Sequence, residues 1–191
     1  METIENKIVL ETRRIRLREI QITDLPIIFK WRNSEKFRFL LHHDTNLLSY
    51  EEFCKEFASD SEGHKYQYLV VKKETGEPIG FTFVNLFSET YRSCFINLFI
   101  AGPYEKKGYG IDTFVSFTSF LFQHAGLKKL FASAFEFNDH TLSCLRKGGM
   151  RELVGNVTKV DQRGNLLCFA ADESIIPTLS RINKFLTNNK N

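Results

Sequence analysis

Residues 103–110, Pro-Tyr-Glu-Lys-Lys-Gly-Tyr-Gly, are the stretch of this chain best equipped for chemistry. The apolar-rich run from Ser93 to Ile100 precedes them, and Ile111, Phe114, Val115, Thr118, Leu121 and Phe122 follow at helical spacing. A strand, a glycine-bearing loop and a helix start form a device for holding phosphate. Glycines let backbone N–H groups approach the ligand closely, and the helix N-terminus adds partial positive charge. Lys106 and Lys107 strengthen the local field. The spacing is not that of a P-loop, which needs Gly-x4-Gly-Lys-Ser/Thr, nor of a Rossmann fingerprint, which needs a third glycine. A Gly-x-Gly loop at a helix start also serves as a plain turn, and on these residues alone both readings stand.

The elements that must position this loop are readable on either side. Arg13 to Ile20 alternates charged and apolar residues, the period of a half-buried strand. Thr23-Asp24-Leu25-Pro26 signals a helix start, with the helix running to about Asn33. Ser49 and Glu52 form a capping box for a second helix that carries Phe53 and Phe57 on one face. Residues 66–73 and a strand starting at Ile79 read as a hairpin around Glu74-Thr75-Gly76-Glu77-Pro78. Beyond the loop, the helix runs to about His124 and stops at Gly126, and Lys128 to Phe135 is a strand. Asn138 opens a short helix that ends at Gly148-Gly149. Strands at 151–160 and 166–171 flank a turn, and a helix from about 176 to 186 ends the pattern. The expectation is one mixed α+β domain over residues 1–191, with its core at about 10–172 and a short helix and polar tail at 173–191. Its front half would be antiparallel, with one strand–helix–strand crossover at 93–135.

Composition narrows the functional classes. Lys and Arg number 26 against 23 Asp and Glu, a net charge of +3, and 42% of residues are hydrophobic. Disorder needs the opposite composition, and a dedicated nucleic-acid binder needs a stronger positive field. Nineteen Phe and six Tyr point to an aromatic core or an apolar ligand groove. The four cysteines, at 54, 94, 144 and 168, show no metal-binding spacing, which suits a reduced cytoplasmic chain with neither disulfides nor zinc. The start of the chain lacks the apolar stretch of a secretory signal, and no run of 18 apolar residues suggests a membrane span.

Four blocks, taken in order, resemble a known family: "TRRIRLREIQITDLPIIFKWRNS", "GEPIGF", "YEKKGYGIDTF" and "FNDHTLSCLRKGGM". Together they resemble the GCN5-related N-acetyltransferases (GNAT), in particular the branch related to ribosomal-protein N-terminal acetyltransferases. The resemblance covers nearly the whole chain. It implies a twisted, mostly antiparallel sheet of about seven strands with a splayed parallel pair and flanking helices. It implies acetyl-coenzyme A as co-substrate, with no metal, and an amine as acceptor.

Carried onto this sequence, the resemblance implies that the backbone from Glu105 through Lys106, Lys107, Gly108, Tyr109 and Gly110 holds the pyrophosphate of the coenzyme. Leu98, Phe99 and Ile100 would pair with its pantetheine arm through their main chains. Asn138 would lie beside the same arm, and Thr141 close to the coenzyme sulfur. Asn138 also reads as an N-cap and Thr141 as a first-turn residue, while Cys144 reads as a packed thiol. Trp31, Arg32, His42, Glu89 and Tyr91 lie where the resemblance places the acceptor wall, and they read equally as core or surface residues.

This chain departs from the family pattern in several places. Glu105 and Lys106 stand where an Arg or Gln and a Gly are usual. Phe95 takes the place of the usual general base, with Asn97 the nearest polar residue, and Leu145 takes that of the usual tyrosine acid. Met150 replaces a usual Phe. The expected function is acetyl transfer from acetyl-coenzyme A to a primary amine of a small molecule or a protein N-terminus, directly in a ternary complex. Thr141 and Asn97 are the catalytic candidates. The alternative is a catalytically silent acyl-coenzyme A-binding or regulatory domain. The chain is expected to act as a monomer or homodimer, without nucleic-acid or membrane partners.

Overall fold

The computed structural model describes residues 8–40, 46–63, 66–160 and 163–188. The strands are β1 (Ile8–Glu11), β2 (Ile15–Glu19), β3 (Gln67–Lys72), β4 (Pro78–Ser88), β5 (Ser93–Ile100), β6 (Lys129–Phe135), β7 (Arg151–Val160) and β8 (Gly164–Asp172). The helices are α1 (Leu25–Arg32), α2 (Glu35–Leu40), α3 (Tyr50–Gly63), α4 (Tyr109–Gln123), α5 (Asp139–Lys147) and α6 (Ile176–Asn188). The strands form one sheet in the order β1-β2-β3-β4-β5-β6-β8-β7. Every neighbouring pair is antiparallel except β5 and β6, which run parallel through the α4 crossover.

Each face of the sheet buries its own core, as period-2 alternation requires. On one face Ile15, Leu17, Val70, Val84, Ile96, Leu130 and Phe169 pack with Val115, Phe117 and Leu121 of α4 and Leu179 of α6. On the other, Leu69, Val71, Phe81 and Phe99 pack with Ile28 and Trp31 of α1, Phe37 of α2 and Phe53 of α3. The indole of Trp31 lies parallel to the ring of Phe81 at 6.3 Å, and Phe37 meets Phe99 edge-on at 5.2 Å. The aromatic richness of the chain is therefore shared between the two cores, with Phe114, Phe117, Phe122 and Phe169 buried in the first.

Three features depart from the expectation. The sheet has eight strands rather than about seven, because Ile8–Glu11 adds an edge strand beside β2. The short helix α2 stands where none was expected. Ser34 starts it, its hydroxyl accepting from the N–H of Phe37 at 3.3 Å. Finally, the core does not stop near 172: Ile175 and Leu179 are buried in it, so α6 is part of the packing.

The capping box at α3 has the expected form. The N–H of Ser49 donates to Glu52 Oε2 at 2.7 Å, and the N–H of Glu52 donates to Ser49 Oγ at 3.2 Å. No helix among the described residues is long and apolar enough to cross a membrane.

Candidate functional site

The parallel pair is where the sheet opens. β5 and β6 stay in register only at Ser93 with Lys129, Cys94 with Leu130 and Phe95 with Phe131. Beyond Phe95 the two strands diverge, while β5 keeps its pairing with β4 out to Ile100 opposite Gly80. On its β6 side the main chain of 96–100 has no ladder partner among the described residues, so a sheet edge lies open inside the sheet. A cavity of about 300 Å³ fills the divergence. Asn97, Leu98, Phe99 and Ile100 bound it on one side, Ala132 to Phe135 on the other, and Asn138, Thr141, Cys144 and Leu145 at its base.

Glu105, Lys106 and Gly110 bound the mouth of the cavity at the start of α4. Gly108 caps that helix with φ +82°, a left-handed conformation that glycine adopts without steric cost. Lys106 also sits in the left-handed region, at φ +57°, where a side chain is strained.

Gly110 needs a different explanation, because its φ is not positive. A Cβ built there would meet only Ile100 Cγ1, at 3.8 Å, an ordinary contact. Helix propensity disfavours glycine in the first turn of a helix, so neither folding nor packing requires it. What the missing side chain leaves clear is the approach from the cavity to the backbone N–H groups of the helix start, which suits a phosphate-bearing ligand.

Arg14 fixes the outer side of this loop. Its Nη1 donates to the carbonyl of Lys107 at 3.0 Å, and its guanidinium lies over the ring of Tyr109 at 4.9 Å from the centroid. Its Nε pairs with Asp112 at 3.4 Å. Burial pushes the Asp112 carboxyl up, and Arg14 works against that shift. Lys107, Gly108 and Tyr109 thus shape the loop from behind and do not line the cavity.

At the base of the cavity, Asn138 caps α5, its Oδ1 accepting from the N–H of Thr141 at 3.2 Å. That cap orients the first turn, which carries His140 and Thr141 into the lining, and Cys144 and Leu145 follow one turn later. Burial pushes the Cys144 thiol up, with Lys147 opposing the shift. Cys94 is buried in the core and pushed up to about 12 by burial. Asn97 Nδ2 donates to Asn85 Oδ1 at 3.1 Å, tying β5 to β4 beside the opening.

The acceptor candidates are not gathered at this cavity. Trp31 and Arg32 are buried, at 8% and 4% exposure, Trp31 in the second core and Arg32 paired with Glu56 at 3.3 Å. Their aromatic and guanidinium groups serve packing there. Glu89 and Tyr91 lie in the exposed turn between β4 and β5, at the end where β5 and β6 are still joined. His42 falls outside the described residues. Sequence reasoning missed Lys36, Ser133 and His140 as lining residues. Ser133 was recoverable from alternation, since it shares a sheet face with Phe131 and Phe135. Lys36 was recoverable only by seeing Ser34 as the start of a helix. Among the described residues no group of three or more His, Cys, Asp or Glu could hold a metal ion.

Comparison with known proteins agrees with this geometry. No curated protein sequence matches the chain. Among solved structures it is similar to a spermidine N-acetyltransferase from Vibrio cholerae in complex with CoA and spermine. The TM-score is 0.78 at 15% identity, covering 85% of this chain and 98% of that one. It is also similar to a GCN5-related N-acetyltransferase from Brucella melitensis, with a TM-score of 0.75, 16% identity, and 95% and 85% of the two chains covered. RimJ from Mycobacterium smegmatis in complex with CoA-disulfide gives a TM-score of 0.71 at 17% identity, with 91% and 90% covered. At these identities the likeness concerns the fold. The profile of the acetyltransferase (GNAT) domain matches residues 14–151, a span that runs from β2 through the cavity to the start of β7. The chain therefore belongs to the GNAT acetyltransferase family, whose co-substrate is acetyl-coenzyme A.

Proposed function

We propose that this protein transfers the acetyl group of acetyl-coenzyme A directly to a primary amine, on a small molecule or a protein N-terminus, within a ternary complex. The observation that carries the reading is the open edge of β5 at 96–100, leading from the Gly110 helix start to Asn138 and Thr141. The main chain of Leu98, Phe99 and Ile100 offers donors and acceptors to an extended amide-bearing arm, as an added strand would. The N–H groups at the start of α4, with Lys106 beside them, receive the pyrophosphate. The coenzyme supplies an acetyl thioester, whose carbonyl carbon the amine attacks and whose thiolate leaves.

The protein positions and handles protons. Thr141 Oγ donates a hydrogen bond toward the departing sulfur. Asn97 Oδ1 accepts one from the incoming amine, while a water chain removes its second proton, since an amide cannot serve as a base near neutral pH. Phe95, where relatives have a carboxylate, stacks on Phe131 at 5.3 Å, and Leu145 is buried at 5% exposure, so neither carries protons. Positioning of two reactants supplies a large part of the acceleration such a site needs.

Direct transfer is favoured over an acetyl-cysteine intermediate. A nucleophilic cysteine works as its thiolate, and burial holds the Cys144 thiol in its neutral form.

The test combines thiol release from acetyl-coenzyme A with mass spectrometry of products across a panel of amines and peptides. Acetylated product with no acetylated protein supports the reading. A covalent acetyl-protein that forms and decays at the turnover rate would overturn direct transfer. Coenzyme-dependent thermal stabilisation with no thiol release on any amine would favour the silent binding domain.

A further inference from the structure

Glu105 begins the phosphate-facing loop and lines the mouth of the cavity. A carboxylate in that place repels a pyrophosphate, which raises the question of what offsets it. The structure answers with a residue from another layer: Lys36 Nζ forms an ion pair with Glu105 Oε1. Lys36 belongs to α2, and it lines the same cavity. Its backbone is held firmly, because the adjacent Phe37 is buried at 3% exposure between Phe81 and Phe99. Its own side chain is 44% exposed at the mouth, so the ammonium retains freedom to turn.

We infer that Lys36 is a pyrophosphate ligand of the coenzyme, contributed by α2, and that its charge offsets the repulsion between that ligand and Glu105. The inference rests on the coenzyme reading given above. An ammonium has three donors. Its charge faces Glu105 in the ion pair, and its donors are available to phosphate oxygens brought to the start of α4. The bridging cation converts an unfavourable carboxylate–phosphate approach into a carboxylate–ammonium–phosphate sequence. The chain thereby adds to the loop's own Lys106 a cation reaching over from the helix layer that also carries Phe37 and Phe39. An exposed ion pair alone is worth little, so sharing its ammonium with an incoming dianion costs the folded protein little.

The test is calorimetric titration of the full chain with coenzyme A and, in parallel, with S-acetylpantetheine, which lacks the pyrophosphate. Lys36→Met should weaken coenzyme A binding about tenfold or more, the lower end for loss of a charge-assisted hydrogen bond. S-acetylpantetheine binding should change less than about twofold, because the lost contact is to phosphate alone. Lys36→Arg should retain most of the affinity. Glu105→Gln should bind coenzyme A equally or more tightly. In that background Lys36→Met should still weaken binding but by less than in the wild type, since the direct contact is lost while no bare carboxylate remains to repel the ligand. Unchanged coenzyme A affinity in Lys36→Met would overturn the inference while leaving the coenzyme reading intact. So would an equal loss for both ligands, or an equal loss in both backgrounds. A wild-type protein that binds no coenzyme A would take both readings down together.

Discussion

Replacing Gly110 by alanine should move stability and coenzyme affinity in opposite directions, and that opposition is the sharpest available check on the phosphate cradle. The added Cβ meets only Ile100 Cγ1 at 3.8 Å, so the folded protein accommodates it without a clash. Alanine in place of glycine in a helix gains up to about 1 kcal/mol. For a chain of 191 residues that is an upward shift in Tm of roughly 2–4 °C. The same methyl group occupies the path from the cavity to the N–H groups of the helix start. Loss of one charge-assisted hydrogen bond to phosphate costs about 1.5–3 kcal/mol, or roughly ten- to a hundredfold in Kd. Thermal denaturation without ligand and calorimetry with coenzyme A read the two effects separately. Gly108→Ala is the contrasting control. Its φ of +82° and an added Cβ 2.9 Å from Arg14 Nη2 make that change destabilising, by about 1–2 kcal/mol from the backbone alone. A folded Gly110→Ala protein that binds coenzyme A as tightly as the wild type would refute the placement of the pyrophosphate.

Three further outcomes are expected. Thr141→Val should lower kcat at least several-fold with coenzyme binding little changed, because the α5 cap uses the N–H of Thr141 and survives the substitution; full activity would remove the hydroxyl from the mechanism. Lys106→Gly should relieve the left-handed strain at φ +57° and raise stability by up to about 1 kcal/mol, measurable as a higher denaturation midpoint. For Asp24, burial pushes the carboxyl up, but the hydrogen bonds from Arg18, at 2.6 and 2.8 Å, and from the N–H of Gln21 outweigh it and hold the group below its usual value. Its stabilising contribution is therefore present at neutral pH and lost as pH falls from roughly 3.9 through the depressed folded value, so Asp24→Asn should flatten the acid limb of a stability–pH curve.

What the sequence made legible divides along physical lines. Strong period-2 and helical patterns, with caps such as Ser49 and Glu52, located most elements because local propensity and tertiary packing agree there. β1 and α2 escaped because four and six residues are too few to establish a period. The glycine loop and Asn138 were readable because their chemistry is local. The ion pair from Lys36 to Glu105 was not, since 69 residues separate partners that only the fold brings together. Trp31 and Arg32 show the converse. Their residue types suit a binding wall as well as a core, and only burial assigns them to packing.

The divergence of β5 and β6 also bears on strand-to-strand association. An unpaired strand at the rim of a sheet is a template that any extended peptide can join, which makes it an aggregation hazard. Here the unpaired main chain of 96–100 lies inside a cleft, with β6 opposite, α5 at its base and the Glu105–Gly110 loop at its mouth. Another protein's strand arrives with side chains on both faces and neighbours on either side, so its bulk bars it from the cleft. A slender single arm does not face that obstacle. On the coenzyme reading proposed above, the fold keeps a hydrogen-bonding edge available while selecting its ligand by cross-section. The amide hydrogens of 96–100 that point away from β4 should consequently exchange faster than those of β3 and β4 in the free protein, and slow on binding coenzyme A without any change in oligomeric state.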